Sequence, residues 1–278
     1  MLIGMENQKP NHTNIQQAWS LQKTFKDHDR WISSVYIHPS EKLLAVVPCN
    51  NQVYIVDMES GIKLTSLNFS YAISSVCFDN SGKKFATLSH KPETCVFNII
   101  KNKNKLIYEQ TDSFEHDGTI TSIYFDHEAN LLGTEPYSDR EIRIKNLKTD
   151  EIVTSFNHNN WVIVTAVSQS GKFLATGSGT NKARLFNMKE KIQLPSFELN
   201  SSVSALAFDP FEKLLAVASR DNKVHIFDLK TYAKIVLFDH DNYIPSLCFG
   251  SSGNMLVTGS FDSNVRIFTK NENTTDTQ

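Results

Sequence analysis

Short apolar runs of about five residues, separated by polar turns, recur along the chain and fall into four families. The first is SVYI, SVCF, SIYF, TAVS, ALAF and SLCF. The second reads LLAVV (43–47), FATLS (85–89), LLGTE (131–135), LATGS (174–178), LAVAS (215–219) and LVTGS (256–260). The third is VYIVD, CVFNI, IRIKN, ARLFN, VHIFD and VRIFT. Each begins just after Asn50, Pro92, Asp139, Thr180, Asp221 or Asp262, residue types that mostly suit tight turns. KLTSL, LIYEQ, IVTSF, QLPSF and KIVLF make the fourth. Runs this short, bounded by turn signals, read as β-strands, and no stretch shows a competing helical period.

The families follow one another in fixed order, anchored at His28, Phe69, His116, His158, Leu199 and His240, positions roughly 41 residues apart. Four short strands per unit are the blade of a β-propeller, so the expected fold is all-β. Unit six has three strands, and SLQKTF (20–25) has the character of its missing fourth. A strand from the N-terminal end closing the last blade removes an open edge that invites aggregation. The expected organisation is an N-terminal segment or blade remnant (1–19), a propeller (20–269) and a disordered tail (270–278). Six complete blades close the ring on this reading. A second reading stays open, because MLIGM at the N-terminus resembles MLVTGS (255–260) and marks a candidate eroded seventh blade.

KDHDRW, FEHDGT, FNHNNW and FDHDNY set histidine among acids or amides, as a metal site or proton relay would. The repeat argues otherwise. Zinc needs three or four ligands converging on one point, whereas a ring distributes its histidines around the circumference. Serines near His and Asp carry no nucleophile elbow, and GxGxxG, P-loop and paired metal motifs are absent, so no catalytic residue, cofactor or metal is expected. A propeller enzyme with a ligand in the central channel is the remote alternative.

The pattern resembles the WD-repeat family, in which a histidine before strand one, a Ser or Thr on strand two, an Asp in the next turn and a Trp on strand three form a hydrogen-bonded tetrad. That resemblance pairs His116 with Asp139 and His240 with Asp262 as structural residues. His28 meets Asn50, His158 meets Thr180, and Asp221 faces Leu199 instead of histidine. The tryptophan slot holds Val56, Asn98, Lys145, Phe186, Phe227 and Phe268, of which Lys145 is an unexplained departure.

Charge is nearly balanced, 28 basic against 30 acidic residues, so no global field draws the chain to nucleic acid or an anionic membrane. Cys49, Cys77, Cys95 and Cys248 lack CxxC spacing and read as free thiols of a reducing compartment. MLIGMENQKPNHT lacks a signal pattern and no run approaches the roughly 18 apolar residues of a membrane span, so an intracellular protein without membrane contact is expected. KNKNK (101–105) reads as a solvated loop after strand three of unit two.

Function then belongs to the loops. Trp31, Trp161 and Tyr243 occupy one repeated position just before strand one, where other units carry Ala72, Thr119 and Ser202. Aromatics at such positions are the side chains that dominate protein interfaces. Asp29, Asp117 and Asp241 stand beside them, an acidic rim that favours a basic peptide or protein surface. Residues 201–268, from SSVSALAFD to SNVRIF, are similar to the last two blades of the pre-mRNA-processing factor 19 family, including the missing anchor histidine at Leu199 and the pair Phe249-Gly250. The family's U-box and helical segment have no counterpart here. The resemblance therefore implies a nuclear docking propeller, one blade short, that binds splicing or ubiquitin-ligase components without ligase activity. A generic adaptor of another intracellular complex is the alternative.

Overall fold

The computed structural model describes residues 19–25, 30–90, 93–102, 105–115, 120–126, 130–138, 141–157 and 162–271. Among them are six four-stranded antiparallel sheets and no helix. β1 (Trp19–Phe25) comes first. Blade one follows as β2 (Ile32–Ile37), β3 (Leu43–Pro48), β4 (Gln52–Asp57) and β5 (Lys63–Asn68). Blade two is β6 (Ile73–Phe78), β7 (Lys84–Ser89), β8 (Glu93–Asn102) and β9 (Lys105–Glu115). Blade three is β10 (Ser122–Phe125), β11 (Leu131–Ser138), β12 (Glu141–Asn146) and β13 (Ile152–Asn157). Blade four is β14 (Val162–Val167), β15 (Phe173–Ser178), β16 (Lys182–Asn187) and β17 (Ile192–Glu198). Blade five is β18 (Val203–Phe208), β19 (Leu214–Ser219), β20 (Lys223–Asp228) and β21 (Lys234–Asp239). Blade six holds β22 (Ser246–Phe249), β23 (Met255–Gly259) and β24 (Val265–Lys270), with β1 as its outer strand.

The second strands are buried along most of their length because neighbouring blades cover both their faces. β3 is buried along nearly its whole length, while the outer β5 alternates between exposed and half-buried residues. The cores accordingly form between blades. Ala45, Val47 and Ile55 of blade one pack with Ile73, Phe78 and Phe85 of blade two. Each buried side chain of this size contributes about 1.5–3 kcal/mol, so the inter-blade clusters carry the stability of the ring.

Innermost strands touch in the order β2, β6, β10, β14, β18, β22 and back to β2. Blade six therefore packs directly on blade one. The Ile32 N–H donates to the Ser260 carbonyl at 3.2 Å, and Val35 N–H to Ser246 Oγ at 3.0 Å. That contact leaves no slot for a seventh blade between them, so the ring has six. Residues 1–18, including the MLIGM stretch, lie outside the described residues, as do 272–278 of the tail. β1 pairs antiparallel with β24, from Trp19 opposite Lys270 to Phe25 opposite Val265, which is the closure expected of SLQKTF.

Turns on one face clasp neighbouring blades. Glu41, held at φ 55°, accepts the Ser252 N–H of blade six at 2.7 Å. Its carboxylate lies 2.3 Å from where a Cβ on Gly250 would stand, so glycine is what lets it approach. Glu212 of blade five, with φ 56°, takes the Ser170 N–H of blade four at 2.9 Å in the same manner.

Blade two departs from the expected pattern. β8 and β9 run to 10 and 11 residues, with Ile99 opposite Tyr108 and Ile100 opposite Ile107. KNKNK is thus not a loop throughout: Lys101 and Asn102 end β8 and Lys105 begins β9, and the two strands stay paired out to Asn102 opposite Lys105.

Candidate functional site

Strand-one starts and the turns after strand two meet on the face opposite the Glu41 clasp. Within a blade these two positions are tied backbone to backbone. Cys49 N–H donates to the Trp31 carbonyl at 2.7 Å, Arg220 to Ser202 at 2.9 Å, and Phe261 to Tyr243 at 2.9 Å. The tie sets each turn residue above the next blade's strand-one start, and in one sector both positions are large.

There Trp31 stacks on Phe261, ring centres 4.9 Å apart and planes 15° from parallel. Tyr243 meets the same Phe261 edge-on at 5.0 Å. The Arg220 guanidinium lies over Tyr243, 5.8 Å from its centre. A ladder of three rings and a cation thus crosses from blade five through blade six to blade one. Other turns put Cys49, His90 or Gly179 at the ladder's repeat position, so the sector is asymmetric. Trp31 remains 56% exposed although stacked, which makes it an unspent apolar surface on a rigid mount. Trp161, the third aromatic expected here, lies outside the described residues.

Of the expected acidic rim Asp29, Asp117 and Asp241, the structure describes Asp241. Asp29 and Asp117 lie outside the described residues. Asp241 is paired with Arg266 at 2.8 Å, and the second nitrogen of that guanidinium holds Asp262 at 2.6 Å. Asp239 is paired with Lys223. The expectation of a basic partner therefore keeps no unpaired acid among its described residues.

His116 and Asp139 also lie outside the described residues. In blade six the His240 Nε2 shares a 2.8 Å hydrogen bond with Thr258 Oγ1, in a buried position, and Nδ1 has no partner. Asp262 directs its oxygens to Arg266 and, at 2.9 Å, to the Asn264 N–H. Histidine and aspartate thus each fix the blade, through different partners. Burial pushes His240 down to about 4, with Arg266 acting in the same direction. Lys145, in the tryptophan slot, is explained by an ion pair with Asp150 at 2.5 Å across the following turn.

Blade five carries a residue the sequence reading missed. His225 stands opposite Val217 as Arg266 stands opposite Thr258, four residues beyond the turn aspartate. It is 2% exposed, and neither ring nitrogen has a partner. Burial takes its pKa down to about 4, helped by Lys234 and opposed by Asp221. Asp221 accepts the Ser219 hydroxyl, but its Oδ2 is buried and unpaired, Leu199 filling the place where a histidine would stand.

At the opposite mouth of the channel all six blades line a cavity of about 160 Å³, with Tyr36, Phe78, Tyr124, Val167, Phe208 and Phe249 on its wall. Asp209 beside it gives its oxygens to the N–H groups of Phe211, Lys213 and Leu214 in its own turn. That carboxylate is structural. Phe261 and Arg220, in contrast, were findable: both sit at one register position, in the turn after strand two.

The WD domain, G-beta repeat model matches residues 150–187, 193–228 and 233–269. The model of the anaphase-promoting complex subunit 4 WD40 domain matches residues 9–81. No curated protein matches the chain. Each of the three repeat matches spans the outer strand of one blade and the first three strands of the next, the same stagger that lets β1 complete blade six.

Proposed function

The chain carries WD40 repeats closed into a six-bladed β-propeller, and from that premise we propose that it is a non-catalytic scaffold docking other proteins on the face of Trp31, Phe261 and Tyr243. Fold alone does not name a function, so the reading rests on the site. The observation that carries it is Trp31, stacked on Phe261 yet more than half exposed. Stacking fixes the ring before any partner arrives, which lowers the ordering cost of binding.

Pull-down with the wild type and with a Trp31→Ala, Trp161→Ala, Tyr243→Ala triple variant tests the proposal, a matched melting curve confirming that the variant folds. Loss of a central aromatic anchor costs about 2 kcal/mol or more, roughly thirtyfold in affinity. Recovery of the bound proteins should therefore collapse. Undiminished recovery by a folded variant removes this face from consideration.

A finer reading is that the protein serves in the nucleus as a docking propeller like that of pre-mRNA-processing factor 19. Its support is the likeness of residues 201–268, with Leu199 in the anchor position and Gly250 after the last inner strand. Mass spectrometry of the recovered proteins separates the readings. Splicing or ubiquitin-ligase components favour the finer one, and a different complex favours a generic WD adaptor.

A further inference from the structure

Arg220 ends the aromatic ladder, and its electrostatic situation differs from that of its neighbours. Its backbone N–H is held by the Ser202 carbonyl and its guanidinium rests over Tyr243, so the group is mounted at both ends while its side chain stays exposed. Among the described residues no carboxylate pairs with it. Three of the surrounding acids are paired with other cations, Asp239 with Lys223 and both Asp241 and Asp262 with Arg266, while Asp221 accepts the Ser219 hydroxyl on one oxygen and keeps the other buried and turned to no partner. An arginine held over a ring keeps a planar fork of donors, a geometry that fits a carboxylate with two parallel hydrogen bonds.

We infer that the partner segment is an acidic peptide, presenting one carboxylate to Arg220 and an apolar or aromatic side chain to the Trp31–Phe261–Tyr243 rings. This inference rests on the docking role proposed above and specifies its chemistry. A polyanion fits less well. The side chains of Asp239 and Asp241 are 74% and 84% exposed at the ladder's edge, and although paired they leave no surplus of cations for a run of phosphates. One carboxylate placed on one guanidinium meets no such conflict. A lysine-rich segment meets Arg220 as a like charge.

Fluorescence anisotropy on the full chain decides the matter. The probes are three labelled peptides of equal length, each with one tryptophan flanked by glutamates, glutamines or lysines, and an oligouridylate of similar length. Wild type is expected to bind the glutamate peptide at least tenfold more tightly than the glutamine peptide, with the lysine peptide and oligouridylate weaker still. Arg220→Glu should reverse the order of the charged peptides, while Phe261→Ala should weaken all three peptides about tenfold without changing their order. Tightest binding of the lysine peptide or oligouridylate, an unchanged order on Arg220→Glu, or no binding of any peptide overturns the inference. Failure of Phe261→Ala alone to weaken binding, with the charge order still reversed by Arg220→Glu, strikes instead at the aromatic docking reading. Because Arg220 is an exposed turn residue, a melting curve matching wild type accompanies its variant.

Discussion

Deleting residues 1–25 is expected to abolish cooperative folding of the propeller. The segment supplies β1, whose loss leaves β24 as an open edge and breaks the only blade assembled from distant parts of the described chain. It also removes two buried aromatics. Trp19 packs beside Phe249 and Phe268 in the core between blades five and six, and Phe25 lies in the cluster joining blades six and one. Truncating either side chain alone costs about 3–5 kcal/mol. Total stability of a folded protein is on the order of 5–15 kcal/mol, so losing both with the strand's hydrogen bonds exhausts it. Calorimetry of the truncated chain should show no sharp transition, and Trp19→Ala should melt well below wild type. A synthetic peptide of residues 19–25 should partly restore the transition. A truncated chain that melts as sharply and as high as the intact one contradicts closure by β1.

Acid is expected to destabilise the ring well before the carboxylates titrate in bulk. His225 and His240 are buried neutral, both with a pKa of about 4 where an unfolded histidine has about 6.5. The folded state binds these protons more weakly than the unfolded state. Stability from the two groups is therefore complete above pH 6.5 and is lost as the pH falls from there toward 4. Between pH 7 and pH 5 each contributes a loss of about 2 kcal/mol. His225→Leu should remove roughly half of this dependence. It should also raise stability at neutral pH, because two buried ring nitrogens without partners cost about 1–3 kcal/mol that leucine does not incur. Urea denaturation of both proteins at pH 7, 6 and 5 gives the comparison. Parallel pH profiles for wild type and His225→Leu would show that His225 protonates without penalty.

The repeat was legible because one architectural demand is met six times over. Inner strands need apolar residues on both faces, turns need Asp, Asn or Gly, and the recurrence of these demands every 41 residues or so gave strand families and the role of SLQKTF from pattern alone. Details that break the repeat were harder to see. The extension of β8 and β9 rests on cross-strand pairs such as Ile100 with Ile107, which no single-strand pattern reveals. VHIFD could not mark His225 as buried, since Val224, His225, Ile226 and Phe227 all lie inside and the strand carries no alternation to read. Trp31 and Tyr243 were recognised as related positions, but not that Phe261 joins them, because the contact crosses from one blade to the next around the closure of the ring. The pairing within the rim was out of reach for a similar reason: counting acids misses that Arg266, a buried residue on the third strand of blade six, reaches up to pair with Asp241.

Amide hydrogen exchange of the chain with and without a partner recovered by the wild type and lost by the triple variant tests the docking face most directly. Slowed exchange should concentrate at residues 31–32, 49, 220, 243–244 and 260–262, where the ladder and its backbone ties lie. Protection confined to the opposite mouth, around residues 38–41, 79–82 and 209–212, with the ladder exchanging as freely as before, would contradict the assignment of the aromatic face.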